Sequence, residues 1–530
     1  MDDGADRACI PCRKNKRRCD KQLPTCGTCR RVGRDCDYSV ENEPNDLQRR
    51  VQQLERTVSQ LSGRIPASSA SVAETPADPL YPTLSTQAYF LDPDVWSSIK
   101  NFHSAASSGV APDEVIARLG SQGDIDAIKN GYFQTIHSWM PFISKIKLER
   151  ATQDLNTRFG ADTALLLLCM KLVQKVPARQ MPQPLDLYAS AKKFHDDLNS
   201  EGVLTLRVLQ AGTLLLIYEL GQGLFPAAFM MISHCARLGV ALGLHNKDAP
   251  QLLSRPRAWV DWEERQRVWW AIVILDRYIA LGGSYRPLCC EDPGRDTLLP
   301  VDEHAWNNGE MMPPDRVSLS SSTTNVLGSF ARLSQASNLL GRVIRHCNDS
   351  APNMDVNFVL DNFDALHQAI SSLLELLPTP TPNHNQPLDG IAERAICYSA
   401  LFILGEHHSC NIFEEDGEVL DEAVAPRARE SSKKAFEIIK DTCRNVTLLA
   451  QESREILLEN DTLDVVSPLV LGCLYHAAQN IIWMALETNN PELEQWKWVC
   501  EDVLGVLSER WGVAGIYLEL LKVSKARDDE

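Results

Sequence analysis

The sequence lacks any uninterrupted apolar run long enough to cross a bilayer. Its longest such stretches, ALLLLCM at 164–170 and VWWAIVIL at 268–275, fall far short of the ~18 residues a spanning helix requires. A soluble protein with no membrane partner is expected. The opening MDDGADRAC has neither the basic patch nor the apolar stretch of a secretory leader, which predicts a reducing compartment. Also missing are GxSxG, HExxH, a phosphate-binding loop and a GxGxxG turn after a strand, so the commonest hydrolytic and nucleotide-dependent chemistries are without their residues. No enzyme is expected. Strand-like alternation is absent as well: from about residue 88 onward, apolar residues recur at three and four rather than two.

Positive charge is outnumbered overall and concentrated where it occurs. The chain carries 53 Lys and Arg against 70 Asp and Glu, a net −17. Between Cys9 and Cys36, however, nine Lys and Arg face only Asp20 and Asp35, a local +7 that leaves −24 for the remainder. A basic head on an acidic body is the footprint of a nucleic-acid binder whose bulk stays off the phosphates.

That head also holds six of the 16 cysteines, spaced C-x2-C-x6-C-x6-C-x2-C-x6-C. The pattern repeats internally: Cys9, Cys12 and Cys19 are echoed by Cys26, Cys29 and Cys36, with Arg13 and Arg30 directly after the second cysteine of each half. Thiolate-bound zinc prefers four ligands in a tetrahedron, so six cysteines serve two zinc ions only if two sulfurs bridge. Symmetry makes Cys9 and Cys26 the bridges. One Zn2+ would sit on Cys9, Cys12, Cys19 and Cys26, the other on Cys26, Cys29, Cys36 and Cys9. A disulfide framework would need an oxidising compartment, and the Lys and Arg that crowd the cysteines favour thiolates instead. The ten remaining cysteines, such as Cys169, Cys397 and Cys473, are scattered through apolar patterns and read as reduced core residues.

This run, with RKNKRR inside it, resembles the fungal binuclear zinc-cluster (Zn2Cys6) transcription factors. A second stretch, WEERQRVWWAIVILDRYIALGGSYRPL with DTLLPVD after it and FMMISHCARLGVALGLH before, resembles their middle homology region, and YFQTIHSWMPFI at 132–143 looks like its beginning. The resemblance implies a nuclear regulator of RNA polymerase II genes, usually an activator, that reads a CGG-type triplet in double-stranded DNA. It implies that Lys16, four positions after the second cysteine, contacts bases. Arg13, Lys14, Arg17 and Arg18 complete the DNA-binding set, most of them as phosphate contacts that fix register. The relatively short chain also resembles regulators encoded with fungal secondary-metabolite gene clusters.

Residues 37–46 form an acidic connector. Leu47, Val51, Leu54, Val58, Leu61 and Ile65 follow at intervals of 4, 3, 4, 3 and 4, a heptad seam. β-Branched residues at a with leucine at d favour a parallel two-stranded coil, so a homodimer through residues 47–65 is expected. Residues 66–87 are a Pro-, Ser- and Ala-rich linker. From 88 to 524 the pattern predicts an all-α regulatory domain, with strong helices at 185–198, 204–220, 226–243, 262–282, 325–347, 357–377, 389–411, 428–450, 462–487 and 491–523.

The fold class expected is therefore mainly α: a small N-terminal binuclear zinc cluster at 9–36 with two short helices, a short dimeric coiled coil, then a large helical array. Asp276, in an apolar stripe with Trp269, Ile272 and Val273, is expected to pair with an arginine such as Arg265 or Arg332. Glu406, His407, His408 and Cys410 cluster at a helix end, where packing or surface roles outweigh metal binding. The transcription machinery and a small-molecule effector in the helical body are further partners the reading allows. The rival readings are a metabolite-binding or enzymatic body carrying a zinc module, a primary-metabolism or drug-resistance regulator, and a scaffold whose cluster docks protein.

Overall fold

Helix is the regular element that the described residues form. The chain is seen in a computed structural model that describes residues 5, 7–14, 17–38, 87–98, 109–153, 160–176, 185–282, 286–321, 327–349, 355–379, 388–409, 425–460, 463–488 and 490–528. Among these, β pairing is limited to isolated bridges such as Val110 with Gly160 and Leu298 with Ser318. The chain divides into two units, Met1–Asp78 and Pro79–Glu530. In the first, two short helices form, α1 (Ile10–Lys14) and α2 (Gly27–Val32). The expected coiled coil at 47–65 lies outside the described residues, as do 39–46 of the connector and 66–86 of the linker.

The second unit begins with α3 (Pro93–Ser98), α4 (Asp113–Leu119), α5 (Gln122–Gln134), α6 (Ile136–Trp139), α7 (Lys145–Thr152), α8 (Ala161–Val173) and α9 (Leu185–Ser200). It continues through α10 (Leu206–Gly221), α11 (Ala227–Ala241), α12 (Trp259–Ala280), α13 (Glu303–Asn307), α14 (Ser329–Asp349) and α15 (Val356–Leu376). The last five are α16 (Ile391–Ser409), α17 (Ala425–Asn460), α18 (Leu469–Thr488), α19 (Pro491–Leu507) and α20 (Gly512–Asp528).

Local chemistry starts several of them. At α5, Ser121 Oγ accepts the Asp124 N–H at 3.3 Å while Asp124 Oδ2 accepts the Ser121 N–H at 2.8 Å, a reciprocal capping box. At α19, Asn490 Oδ1 accepts the Glu492 N–H at 3.0 Å and Pro491 occupies the first turn, where its missing N–H costs nothing.

Packing follows from the faces. Helix α8 (ADTALLLLCMKLV) is apolar nearly all round and is buried from Ala161 to Met170, against α4, α5, α9 and α10. Each fully buried leucine contributes ~1.5–3 kcal/mol relative to an exposed one. Neighbours then stack in sequence, α10 on α11, α11 on α12, α12 on α14, α14 on α16, α16 on α17 and α18, and α18 on α19 and α20. The last helix, α20, returns to α10, and one apolar cluster runs from Ala111 to Leu521. Helix α18 is 20 residues long and apolar enough to cross a membrane by length and composition, yet 67% of its apolar window is buried inside this body, against α16, α17, α19 and α20.

One expected helix is two. The stretch 491–523 breaks between Leu507 and Gly512, where Arg510 and Trp511 turn inward. Trp511 Nε1 donates to the Val466 carbonyl at 3.0 Å, and Arg510 Nη2 donates to the Val173 carbonyl at 2.7 Å. The indole lies against Gly221, where an added Cβ would fall 2.2 Å from it. A tertiary slot receives Trp511 where the chain bends, next to Gly512.

A second difference concerns Asp276. Its carboxylate pairs neither with Arg265, which donates to the Ser254 carbonyl, nor with Arg332, which binds Asp389 and Glu393. Instead Arg277 Nη1 lies 2.7 Å from Asp276 Oδ2, and the backbone N–H groups of Cys289 and Cys290 each donate to Asp276 at 3.0 Å. The rest of α12 treats the following segment alike. Glu263 accepts the Val301 N–H at 2.9 Å, Trp270 Nε1 donates to the Leu298 carbonyl at 3.0 Å, and Arg277 Nη2 donates to Asp292 at 3.0 Å. The polar residues of WEERQRVWWAIVILDR thus clamp a strand-less strap, 286–321, along an otherwise apolar helix. Asp276, Glu263 and Trp270 are buried and each satisfies a backbone group of the strap, so that a polar atom of each is paired away from water.

Candidate metal centre and nucleic-acid interface

The internal repeat of the cysteine module reappears in its backbone. The Arg13 N–H donates to the Cys9 carbonyl at 3.0 Å, and the Arg30 N–H donates to the Cys26 carbonyl at 2.9 Å. The Arg17 N–H donates to Cys12 at 2.9 Å and the Arg34 N–H to Cys29 at 3.1 Å. Each half therefore winds the chain into the same turn after its first cysteine, and α1 and α2 are the two copies. Gly33, in the left-handed region at φ 63°, ends α2. Between the halves the Leu23–Pro24 peptide is cis.

This winding brings all six sulfurs together. Cys9, Cys12, Cys26 and Cys29 are buried and Cys19 and Cys36 half-buried. Two tetrads result, Cys9–Cys12–Cys19–Cys26 and Cys9–Cys26–Cys29–Cys36, each with its sulfurs within 4.8 Å of one another. They share Cys9 and Cys26. Zinc–thiolate bonds of ~2.3 Å in a tetrahedron place sulfurs ~3.8 Å apart. The Sγ atoms of Cys9 and Cys26 are 3.7 Å apart, those of Cys12 and Cys26 3.7 Å, those of Cys9 and Cys19 3.9 Å, and those of Cys9 and Cys29 3.6 Å. The donor set fits a pair of tetrahedral thiophilic ions. No cysteine in the described residues is in a disulfide.

The electrostatics agree. Burial pushes the Cys9 thiol well up and the Cys29 thiol up to about 12, whereas the Cys29 N–H, 3.3 Å from Cys26 Sγ, pulls Cys26 down. Six crowded sulfurs cannot all ionise without a cation among them.

Residues around the sulfurs hold the cage in place, two of which sequence reasoning passed over. Asp20 accepts the Gly27 N–H with both oxygens, at 3.0 and 2.9 Å, and so caps α2. Tyr38 donates its hydroxyl to the Gln22 carbonyl at 3.0 Å and lies 3.8 Å from Cys19 Sγ, which ties the exit of the module to its middle loop. The position of Asp20, directly after Cys19, and of Tyr38, two residues after Cys36, was the available signal.

Of the expected DNA-contacting residues, Arg13, Arg17 and Arg18 are exposed beside the cage. Lys14 is the last residue of α1, and its side chain lies outside the described residues, as does the whole of Lys16. Arg30, Arg31 and Arg34 add exposed positive charge on the second half; Arg30 donates to the Thr25 carbonyl and Arg31 to the Gly27 carbonyl, both at 3.3 Å. The dimerisation residues Leu47, Val51, Leu54, Val58, Leu61 and Ile65 lie outside the described residues.

Elsewhere the structure assembles no comparable donor set among the described residues. His408 Nε2 faces His346 Nε2 at 2.8 Å, and Glu406 accepts from Asn480 at 2.7 Å, so these groups are engaged in helix packing; Cys410 lies outside the described residues.

Residues 7–44 match the fungal Zn(2)-Cys(6) binuclear cluster domain, and residues 130–376 match the fungal specific transcription factor domain. Transcription factor BOA15 of Botryotinia fuckeliana (strain B05.10) is 50% identical over 181 residues, which span 34% of this chain and 99% of that protein. The notoamide biosynthesis cluster transcriptional coactivator notQ' of Aspergillus versicolor is 28% identical over 333 residues, covering 58% of this chain and 59% of the relative. The citrinin biosynthesis transcriptional activator mrl3 of Monascus ruber is 22% identical over 418 residues, covering 71% and 81%.

Proposed function

Since the chain belongs to the fungal Zn(2)-Cys(6) binuclear-cluster transcription factors, we propose that it is a nuclear, sequence-specific regulator that reads CGG-type half-sites as a homodimer. The family is one of zinc- and DNA-binding transcription factors, not of enzymes. The observation that carries the reading is the pair of cysteine tetrads sharing Cys9 and Cys26, with Arg13, Arg17 and Arg18 exposed on the same short stretch.

In this reading two Zn2+ ions are held by Cys9, Cys12, Cys19, Cys26, Cys29 and Cys36. Bound zinc supplies the positive charge that lets the crowded thiolates ionise. The chain's own residues do the recognition. The turns at Cys9 and Cys26 hold the basic stretch at the edge of the cage. Lys16 reaches guanine in the major groove, while Arg13, Lys14, Arg17 and Arg18 neutralise phosphates and fix register. Residues 47–65 pair two chains and, together with 37–46, set the spacing and orientation of their half-sites, and 66–87 tether the regulatory body at 88–524. The genes governed are those of a secondary-metabolite biosynthetic cluster transcribed by RNA polymerase II, with activation as the sign. Support for this comes from relatives named as regulators of notoamide and citrinin biosynthesis.

Selection of bound sequences from a random duplex pool, with the zinc-loaded full chain, tests the reading. Enrichment of two CGG-type triplets at one preferred spacing is expected. A pool without triplet enrichment, or with binding insensitive to salt, overturns it in favour of a protein-docking cluster, because phosphate contacts make DNA affinity fall steeply with salt.

A further inference from the structure

A cavity of about 240 Å3 opens between α14 and α15, just below the ~300 Å3 at which sites for small organic ligands begin. It is lined by residues of the helical body, and its two walls differ in chemistry.

The polar wall comes from α14 and the strap. Asp292 is already saturated with cations: Arg277 Nη2 lies 3.0 Å from one oxygen and Arg345 Nε 2.6 Å from the other. Arg345 meets Asp292 only through its Nε side. Arg342, one turn earlier on the same face, is exposed and has no partner among the described residues. Asp349, the other acid on the lining, stands seven residues beyond Arg342, ~10 Å along the helix axis, and is exposed to water. It does not cancel the charge at Arg342.

The facing wall is apolar. Val359 and Leu366 of α15 are buried, while Phe358 keeps 59% of its surface exposed at the cavity's edge. At the floor, His346 is already engaged by both ring nitrogens, Nε2 at 2.8 Å from His408 Nε2 and Nδ1 at 2.9 Å from Asn362 Nδ2. Recognition of a polar ligand group therefore falls to the arginines. A guanidinium fork with free N–H groups matches a carboxylate in two parallel hydrogen bonds.

We propose that this cavity binds a small organic carboxylate with an apolar body, its carboxylate on Arg342 and the Nη groups of Arg345, its body against Phe358, Val359 and Leu366. The site is independent of DNA reading, and its occupancy is measurable on the protein without DNA.

The test uses the zinc-loaded full chain and three probes: 3-phenylpropanoate, its neutral amide and inorganic phosphate, each titrated by calorimetry with ligand-observed NMR. Saturable binding of 3-phenylpropanoate with Kd on the order of 1 mM is expected. The amide should bind ~10-fold more weakly, as should 3-phenylpropanoate to Arg342→Leu, since each removes a charge-assisted pair. Because Arg342 is exposed, the variant should melt at the temperature of the unaltered protein in the absence of probe. Phe358→Ala should weaken the carboxylate and the amide alike. Equal binding of carboxylate and amide, unaltered affinity in Arg342→Leu, or no saturable binding overturns the proposal. So does phosphate binding as tightly as 3-phenylpropanoate, which would leave the apolar wall without a role.

Discussion

The Sγ atoms of Cys9 and Cys26 stand 3.7 Å apart, and these two residues alone belong to both cysteine tetrads. Every other sulfur in the cage belongs to one tetrad. The two tetrads therefore share an edge, and the consequences of losing a sulfur depend on which one it is.

Replacing Cys26 by alanine removes a ligand from both tetrads, so metal analysis of the purified variant should find neither zinc retained. Cys36→Ala removes a ligand from one. It should retain a zinc on Cys9, Cys12, Cys19 and Cys26. A Cys26→Ala protein that keeps one zinc at full affinity would exclude the shared-sulfur arrangement.

Lys16→Ala should cost ~1–3 kcal/mol at the specific DNA site and flatten the preference at that base. Arg18→Ala should instead weaken all sequences about equally and reduce the salt slope by about one. Competition binding at several salt concentrations separates the two behaviours. A uniform loss on Lys16→Ala would remove it as the base reader.

Deleting residues 47–65 should leave a monomer that binds single half-sites. Sedimentation of the deleted protein gives its oligomeric state directly. If the dimer persists, the interface belongs to the helical body and not to the heptads.

Asp276→Ala should destabilise the body by ~3–5 kcal/mol, because it leaves the fully buried Arg277 guanidinium without its nearest carboxylate and strips the acceptor from two strap N–H groups. Urea denaturation measures this. A loss below ~1 kcal/mol would show that the strap holds without this clamp.

Glu393 gives a pH signature. Burial pushes its carboxyl up to about 7, against the pull of Arg332. Its folded pKa therefore exceeds the unfolded value, so the unfolded chain loses the proton first as pH rises. Stability should fall from about pH 4.5 to about pH 7, by ~3 kcal/mol at ~1.4 kcal/mol per pKa unit, and then level off. Glu393→Gln should lack this component, and stability curves of the two proteins that run parallel across that range would contradict it.

Much of the candidate site was legible because its ligands are close in sequence. A 17-residue repeat with cysteines at fixed intervals leaves few ways to satisfy tetrahedral coordination: counting requires two shared sulfurs, and the symmetry of the repeat points to Cys9 and Cys26. Asp20 and Tyr38 were harder, since an aspartate and a tyrosine have many uses and only the folded loop shows Asp20 beneath the Gly27 N–H and Tyr38 against Cys19. In the body, three- and four-residue periodicity located helices such as α10 and α15 to within two residues at each end, whereas α18 begins at Leu469, seven residues after the expected start.

What the residues alone determined, then, is local: the cysteine cage, the helical class, the separation of a basic head from an acidic body. What only the tertiary structure decided is which distant groups meet. Asp276 takes Arg277 and two strap amides in place of Arg265 or Arg332, and 491–523 breaks in two where Trp511 fits the gap at Gly221. The reason is physical. Helix periodicity and metal spacing act over a few residues and are written in the pattern, whereas a buried polar group accepts whichever partner packing brings within 3 Å, and packing depends on every helix around it.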